Sequence, residues 1–199
     1  MKALGLVLIV GVLVALALVY HPTQAKLQPP TLILHLATQP VLVSPNRGNA
    51  HRVIGRPTIT ASFIDHILAL AHSPAQGIGQ MMYQQGVKYG IDPIYALAFF
   101  HHESSFGLAG VARSTHSIGN IRCTQGYTCD PTGGYRSYPS YAVGIEDWYQ
   151  LLASVYLPNG LTTVEKIIPV YAPNADHNNE AAYIANVNTD VALWREGKV

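Results

Sequence analysis

Residues 91–107 read IDPIYALAFFHHESSFG, and this stretch decides how the rest of the chain folds. Every residue from 94 to 100 is apolar or aromatic, so a helix here has no side suited to water and must be buried all round. Asp92 supplies an N-cap, Pro93 fits the first helical position, and Gly107 lies just past the expected end. The sequence therefore predicts a buried central helix around which other elements pack.

Glu103 lies in the last turn of this predicted helix. The helix dipole is negative at that end, and the apolar side chains of Ala96, Phe99 and Phe100 flank the position. Because both effects disfavour the carboxylate, we expect a raised pKa for Glu103. A carboxyl group that stays protonated near neutral pH suits a general acid for glycosidic bond cleavage. The residues alone leave open an ordinary glutamate at a surface helix end.

The charge balance bears on the type of partner, and the N-terminus bears on the cellular compartment of the protein. The chain has 12 Lys and Arg against 11 Asp and Glu and no basic cluster, which argues against a nucleic-acid partner. Residues 3–20 are apolar without interruption behind Lys2, which is typical of an export signal or a membrane anchor. Thr23 and Ala25 fit signal cleavage after Ala25, whereas the length slightly favours an anchor. Residues 1–25 thus predict an extracytoplasmic protein that is either membrane-anchored or secreted.

The rest of the chain divides into a linker and one domain. Six prolines lie between residues 22 and 57, so residues 26–57 are interpreted as a proline-containing linker. Residues 58–199 have the length of one compact domain. Capping boxes at residues 62–65 and 162–165, together with apolar three-four spacing, predict further helices around the central one. The expected fold class is mainly α, with a small β-hairpin inserted after Glu103.

The predicted hairpin lies in a polar segment between residues 107 and 140, which is rich in glycine, serine, threonine and tyrosine. It contains Cys123 and Cys129, and in an exported protein such a pair predicts a local disulfide. Closing so small a loop contributes roughly 2 kcal/mol in the chain-entropy model. A metal site is the weaker alternative, because only two cysteines are present.

Glycosidases usually need a second carboxylate in addition to the acid. Asp130 is the first candidate, because it lies beside Cys129 in the segment that follows Glu103 and can fold over the same cleft. An ordinary Asp-Pro turn is the alternative for Asp130. Asp176 is the second candidate, and a role as a helix cap explains that residue equally well.

A metal site at the end of the central helix is disfavoured. His101 and His102 are adjacent, and neighbouring residues on a helix point about 100 degrees apart, so one ion cannot easily bind both. The HExxH spacing of zinc hydrolases does not occur in the sequence.

Tyrosines are concentrated after Glu103, and their rings and hydroxyls suit the flat apolar faces and hydroxyls of sugars. They are Tyr127, Tyr135, Tyr138, Tyr141, Tyr171 and Tyr183. Some of them must be core residues, and Tyr183 belongs to an apolar stripe that predicts core packing.

Four motifs in order resemble the glucosaminidase branch of the lysozyme-like superfamily, glycoside hydrolase family seventy-three. The stretch YALAFFHHESSFG resembles the family's helix that ends in the catalytic glutamate, and SIGNIRC is similar to the segment that follows it. The stretch YRSYPSYAVGIEDWYQLL resembles an aromatic-arginine-x-tyrosine motif with its helix, and VYAPNAD resembles a tyrosine-alanine turn. The resemblance covers roughly residues 58–194.

This resemblance implies a lysozyme-like fold and cleavage of the β-1,4 bond between N-acetylglucosamine and N-acetylmuramic acid in peptidoglycan glycan strands, with Glu103 as general acid. It implies that Tyr171 positions the N-acetyl group or a water molecule in the cleft. It also implies that Asn120, Arg136 and Tyr138 shape the hairpin side and that Asn120, Tyr135 and Tyr138 bind the substrate, and it implies no cofactor.

The sequence departs from the family where members often carry a second acidic residue, because no glutamate lies in the hairpin segment. If Asp130 does not reach the sugar, the substrate's own N-acetyl group or a water held by Tyr171 takes its place. The rival functions are a lytic transglycosylase, which shares the fold and the single glutamate, and a non-catalytic wall-binding module.

Overall fold

The computed structural model describes residues 51–199, and its centre is the predicted buried helix. This helix, α3, runs Pro93–Ser104, and the side chains from residue 93 to residue 100 are buried. Asp92 caps it by accepting a hydrogen bond from the amide of Ile94, as the sequence predicts. The helix ends at Ser104, because its C-cap Ser105, and not Gly107, is the first residue to take the left-handed conformation.

The described part of the chain is mainly α. Around α3 lie six further α-helices: α1 (Ala61–Leu70), α2 (Gly79–Tyr89), α4 (Ala112–Thr115), α5 (Tyr141–Leu151), α6 (Val164–Tyr171) and α7 (Glu180–Arg195). A π-helical segment, Leu152–Tyr156, continues α5, and a 3₁₀ turn, Asn174–Asp176, follows α6.

Two helix starts differ from the predicted capping boxes. Thr60 caps α1 and accepts a hydrogen bond from the amide of Phe63, so the helix begins before Ser62. Thr163 precedes α6 without a side-chain cap, so the predicted box at residues 162–165 does not form. In both cases the helical run is present, and only the capping residue differs.

Phe99 on α3 joins the helices that surround it. Its ring packs against Trp148 of α5, Tyr171 of α6 and Tyr183 of α7, with ring centroids 5.4, 5.6 and 5.6 Å apart. Edge-to-face contacts of this kind add to the gain from apolar burial. The end of α3 is thereby held at the junction of three other helices.

The packed domain begins before the predicted boundary at residue 58. Val53 is fully buried, Ile54 pairs with Ile91 in an isolated antiparallel bridge, and Arg52 pairs with Thr163 in another. Val53 and Ile54, which lie in the predicted linker, therefore contribute to the core. The predicted leader of residues 1–25 and the remaining linker lie outside the described residues.

The segment after Glu103 does not form a regular hairpin. Residues 51–199 contain no β-strand, and the expected hairpin is reduced to two isolated antiparallel bridges, Arg122 with Tyr135 and Cys129 with Arg136. The predicted disulfide is confirmed: Cys123 and Cys129 are bonded, with 5.6 Å between their Cα atoms. Within the same residue range, the helices are all too short or too polar to cross a bilayer.

Candidate active site

A cleft of about 360 Å³ opens at the end of α3. It is lined by residues 121–136, which we call the disulfide-bearing segment, and by the end of α6 with the turn that follows it. The residues that line it are Glu103, Asn120, Ile121, Arg122, Thr124, Tyr135, Arg136, Leu151, Tyr156, Val170, Tyr171, Ala172, Pro173, Asp176 and Asn178. The lining is mixed in character, with tyrosine rings beside amide, guanidinium and carboxyl groups.

Glu103 is partly buried at the base of this cleft, and two side chains hold its carboxyl group. The hydroxyl of Tyr183 donates to Oε1 at 2.6 Å, and Nδ2 of Asn120 donates to Oε2 at 3.2 Å. The same Nδ2 atom also donates to the backbone carbonyl of Glu103 at 2.6 Å. The carboxyl group is therefore fixed by α7 and by the loop after α4.

Burial raises the pKa of Glu103 to about 7, against the lowering effect of the hydrogen bonds from Tyr183 and Asn120 and of the Arg122 charge. An ordinary glutamate is almost fully ionised at neutral pH. A pKa near 7 leaves both protonation states populated, so this carboxyl can donate a proton in one step and accept one in the next.

Tyr171 lines the cleft, but its hydroxyl donates to the backbone carbonyl of Gly119. Burial also raises the pKa of Tyr171 well above its usual value. The hydroxyl proton is thus engaged within the protein, so Tyr171 does not donate it to a bound molecule while this hydrogen bond is in place.

Asp130 does not line the cleft. Its carboxylate accepts hydrogen bonds from the Thr132 hydroxyl at 2.6 Å and the Tyr135 amide at 2.8 Å. These two hydrogen bonds hold the pKa of Asp130 below its usual value. Asp130 therefore stabilises its own turn, and the structure does not bring it together with Glu103.

Of the residues predicted to bind sugar, Asn120 and Tyr135 line the cleft and Tyr138 does not. The Tyr138 hydroxyl instead donates to Asp147 at 2.5 Å. Arg136, which itself lines the cleft, donates to the same carboxylate at 2.7 Å, so Tyr138, Arg136 and Asp147 form one cluster.

No protein-family model matches the sequence, and no curated protein matches it significantly. The functional argument therefore rests on the residues and on the geometry of the cleft.

Tyr183 is the site residue that sequence reasoning missed. The apolar stripe of α7 correctly predicts its burial, and Tyr183 is 2% exposed. A stripe gives no information about the partner of a buried hydroxyl, and here that partner lies 80 residues earlier in the chain. The signal available in the sequence was the hydroxyl itself, because a buried tyrosine usually needs a hydrogen-bond partner.

The two histidines beside Glu103 lie in a separate cavity with Asn186, Thr189 and Asp190. His101 Nδ1 is 2.6 Å from Asp190, a hydrogen bond that raises the pKa of His101, and the His102 ring lies against Tyr183. Within residues 51–199, no group of three or more His, Cys, Asp or Glu side chains is placed to share a metal ion.

Proposed function

We propose that this protein hydrolyses the β-1,4 glycosidic bond between N-acetylglucosamine and N-acetylmuramic acid in peptidoglycan, with Glu103 as the general acid. The observation that carries the proposal is the Glu103 carboxyl at the base of a polar cleft, held by two hydrogen bonds and with a pKa of about 7. A group in this state can protonate the oxygen of the leaving sugar near neutral pH.

The cleft suits a glycan in size and in chemistry. Its volume falls within the range of small-molecule sites in proteins. Tyr135 and Tyr156 supply aromatic surface for the sugar rings. Arg122, which is exposed and only loosely paired with Asp176, adds a guanidinium that can donate hydrogen bonds to a bound glycan.

The four sequence motifs support the same reaction and, with it, a lysozyme-like fold. Their residues lie in the elements that build the cleft: α3, the disulfide-bearing segment, α5 and the turn after α6. The apolar run at residues 3–20 agrees with a protein that is exported to the wall, either anchored or released. Peptidoglycan glycan strands are the partner in this proposal.

A lytic transglycosylase is the second candidate. The observation that favours it is the position of Asp130, which leaves Glu103 without the partner carboxyl expected from the disulfide-bearing segment. A single acid is sufficient where a hydroxyl of the substrate itself attacks the sugar. The product is then an anhydro sugar instead of a reducing end.

The decisive experiment compares the full chain with its Glu103→Gln variant on purified peptidoglycan. We expect the lytic rate to fall by about 100-fold or more, while sedimentation with peptidoglycan stays unchanged. Mass spectrometry of the wild-type digest should show reducing N-acetylglucosamine ends, whereas anhydromuramic ends would identify a transglycosylase. A lytic rate unaffected by the substitution would exclude Glu103 as the acid, and a wild-type protein that binds without lysis would be a wall-binding module.

A further inference from the structure

Asp176 lines the cleft from the turn that follows α6, and its carboxylate contacts Arg122 of the disulfide-bearing segment. It ends the 3₁₀ turn that follows α6, whereas Glu103 comes from α3. Among the residues that line the cleft, Glu103 and Asp176 are the two with carboxyl groups. The turn thus brings a second acidic group to the same space although 73 residues separate the two in the sequence (176 minus 103).

The two carboxyl groups have opposite surroundings. Glu103 is held by a hydroxyl and an amide and has its pKa raised by burial. The Asp176 side chain is 47% exposed and forms an ion pair with Arg122, with 3.4 Å between Oδ2 and Nη2. Carboxyl groups in such contrasting environments divide naturally into a proton donor and a proton acceptor.

Arg122 interacts with both carboxyl groups, those of Glu103 and Asp176. Its guanidinium contacts Asp176 and lies over the ring of Tyr135 at 5.1 Å, and its charge also lowers the pKa of Glu103. The Arg122–Asp176 contact is long and solvent-exposed, so it is weak and leaves the carboxylate accessible to water. Apart from Arg122, no side chain or amide in the described part of the chain donates a hydrogen bond to Asp176 that would bind its carboxylate as Thr132 and Tyr135 bind Asp130.

We propose that Asp176 is the general base that activates the attacking water molecule. This inference rests on the proposed glycosidase function. Glu103 gives its proton to the glycosidic oxygen as the bond from that oxygen to C1 breaks, and the water oxygen forms a new bond to C1 from the opposite face. Asp176 takes the proton that this water loses. One water is consumed, the sugar inverts at C1, and proton exchange with solvent returns Glu103 to its acid form and Asp176 to its carboxylate.

The first test is the Asp176→Asn variant of the full chain, assayed on a soluble peptidoglycan tetrasaccharide. We expect kcat to fall by about 100-fold with KM changed by less than about threefold, because the amide keeps the size of the carboxylate but accepts no proton. The matched control is Glu146→Gln, which removes an exposed carboxylate outside the cleft and should leave kcat unchanged.

Two further measurements use the chemistry of the step. In Asp176→Ala, sodium azide should restore turnover and yield the α-glycosyl azide, because azide needs no base and enters from the face that water uses. NMR of the fresh wild-type product should show the α-anomer first. A β-anomer, or an Asp176→Asn variant with near wild-type kcat, would overturn the role of Asp176.

The Glu103→Gln variant distinguishes a failure of the role proposed for Asp176 from a failure of the proposed glycosidase function. If Glu103→Gln is inactive while Asp176→Asn is active, the glycosidase proposal stands and Asp176 is not the base. If Glu103→Gln keeps full activity, the proposed function fails and the inference fails with it.

Discussion

At the residue scale, the acid strength of Glu103 results from a balance between burial and hydrogen bonding. Burial alone favours the protonated form, and the Tyr183 hydroxyl and the Asn120 amide partly restore the carboxylate. The Tyr183 contact is the shorter of the two, at 2.6 Å against 3.2 Å. Tyr183 is therefore expected to have the stronger influence on the pH at which the proposed acid works.

Replacing Tyr183 with Phe should move the alkaline limb of the pH–activity profile to higher pH. The acid donates its proton only below its pKa, so kcat/KM should fall as pH rises through about 7 in the wild type. Loss of the hydroxyl removes a hydrogen bond that favours the carboxylate, so the pKa of Glu103 rises further. We expect a displacement of about one pH unit, measured as kcat/KM from pH 5 to 10.

Tyr135→Phe is the control for this profile, because Tyr135 lines the same cleft without bonding to Glu103. It should change affinity for the glycan and leave the alkaline limb in place. A limb that stays fixed in Tyr183→Phe, or moves to lower pH, would show that the hydroxyl does not stabilise the carboxylate.

At the element scale, α5 holds the disulfide-bearing segment through one nearly buried carboxylate. Asp147 on α5 accepts hydrogen bonds from the guanidinium of Arg136 and from the Tyr138 hydroxyl. The side chains of Arg136 and Asp147 are only 7% and 12% exposed. The Arg136 guanidinium also lies 3.4 Å from the centre of the Tyr127 ring. The segment is thus attached to the helical core by charge and aromatic contact as well as by its local disulfide.

Asp147→Asn should lower the free energy of unfolding by at most about 3 kcal/mol, because it leaves the Arg136 charge nearly buried without a counter-charge. Urea unfolding followed by circular dichroism measures this change. The neighbouring Glu146 offers a matched control, since it is an exposed residue of α5 that pairs with Lys88 of α2. Glu146→Gln should leave the midpoint nearly unchanged, and equal effects of the two substitutions would refute the role given to the nearly buried pair.

The sequence predicts the elements better than it predicts their connections. Asp92 and Pro93 mark the start of α3 because capping depends on neighbouring residues alone. The expected hairpin does not form because Asp130 binds the amides of its own turn, and Gly126 and Gly133 take positive φ angles within the segment. Such side-chain bonding competes with a strand ladder and leaves no periodic signal in the sequence.

At the scale of the whole molecule, the parts that sequence reasoning missed are long-range contacts. Val53 was assigned to the linker because of the prolines around it, yet its amide donates to the Thr162 carbonyl, more than 100 residues later. Tyr183 was assigned to the core, and its hydroxyl meets Glu103 only after α7 packs on α3. Local patterns predict that a residue is buried, whereas its partner is determined by how the helices assemble.

Burial of Glu103 among these helices lowers the free energy of unfolding by an amount that depends on pH, which we call the cost of burial. Glu103 has a pKa of about 7 in the folded state against about 4.5 in an unfolded chain, so the folded state binds its proton more tightly. Below pH 4.5 both states are protonated and the cost is absent. It grows between pH 4.5 and 7 and is complete above pH 7, at about 3 kcal/mol for a difference of about 2.5 in pKa.

Glu103→Gln should therefore stabilise the full chain at pH 8.5 relative to the wild type by about 3 kcal/mol more than it does at pH 4. Glutamine is neutral at both pH values, so it removes the cost of an ionised carboxyl at this site. Urea unfolding of both proteins at the two pH values measures the difference.

Glu165→Gln is a control for which we expect the opposite dependence of stability on pH. Burial tends to raise the pKa of Glu165, but hydrogen bonds from its own amide, His51 and Asn188 lower it overall. Its carboxylate therefore contributes stability above the unfolded pKa, and that contribution is lost as pH falls through the lowered folded pKa. Replacing it should destabilise the protein at pH 8.5 more than at pH 4. If Glu103→Gln stabilises the protein no more at pH 8.5 than at pH 4, the raised pKa assigned to Glu103 is wrong. If Glu165→Gln shows the pH response expected for Glu103→Gln, the lowered pKa assigned to Glu165 is wrong.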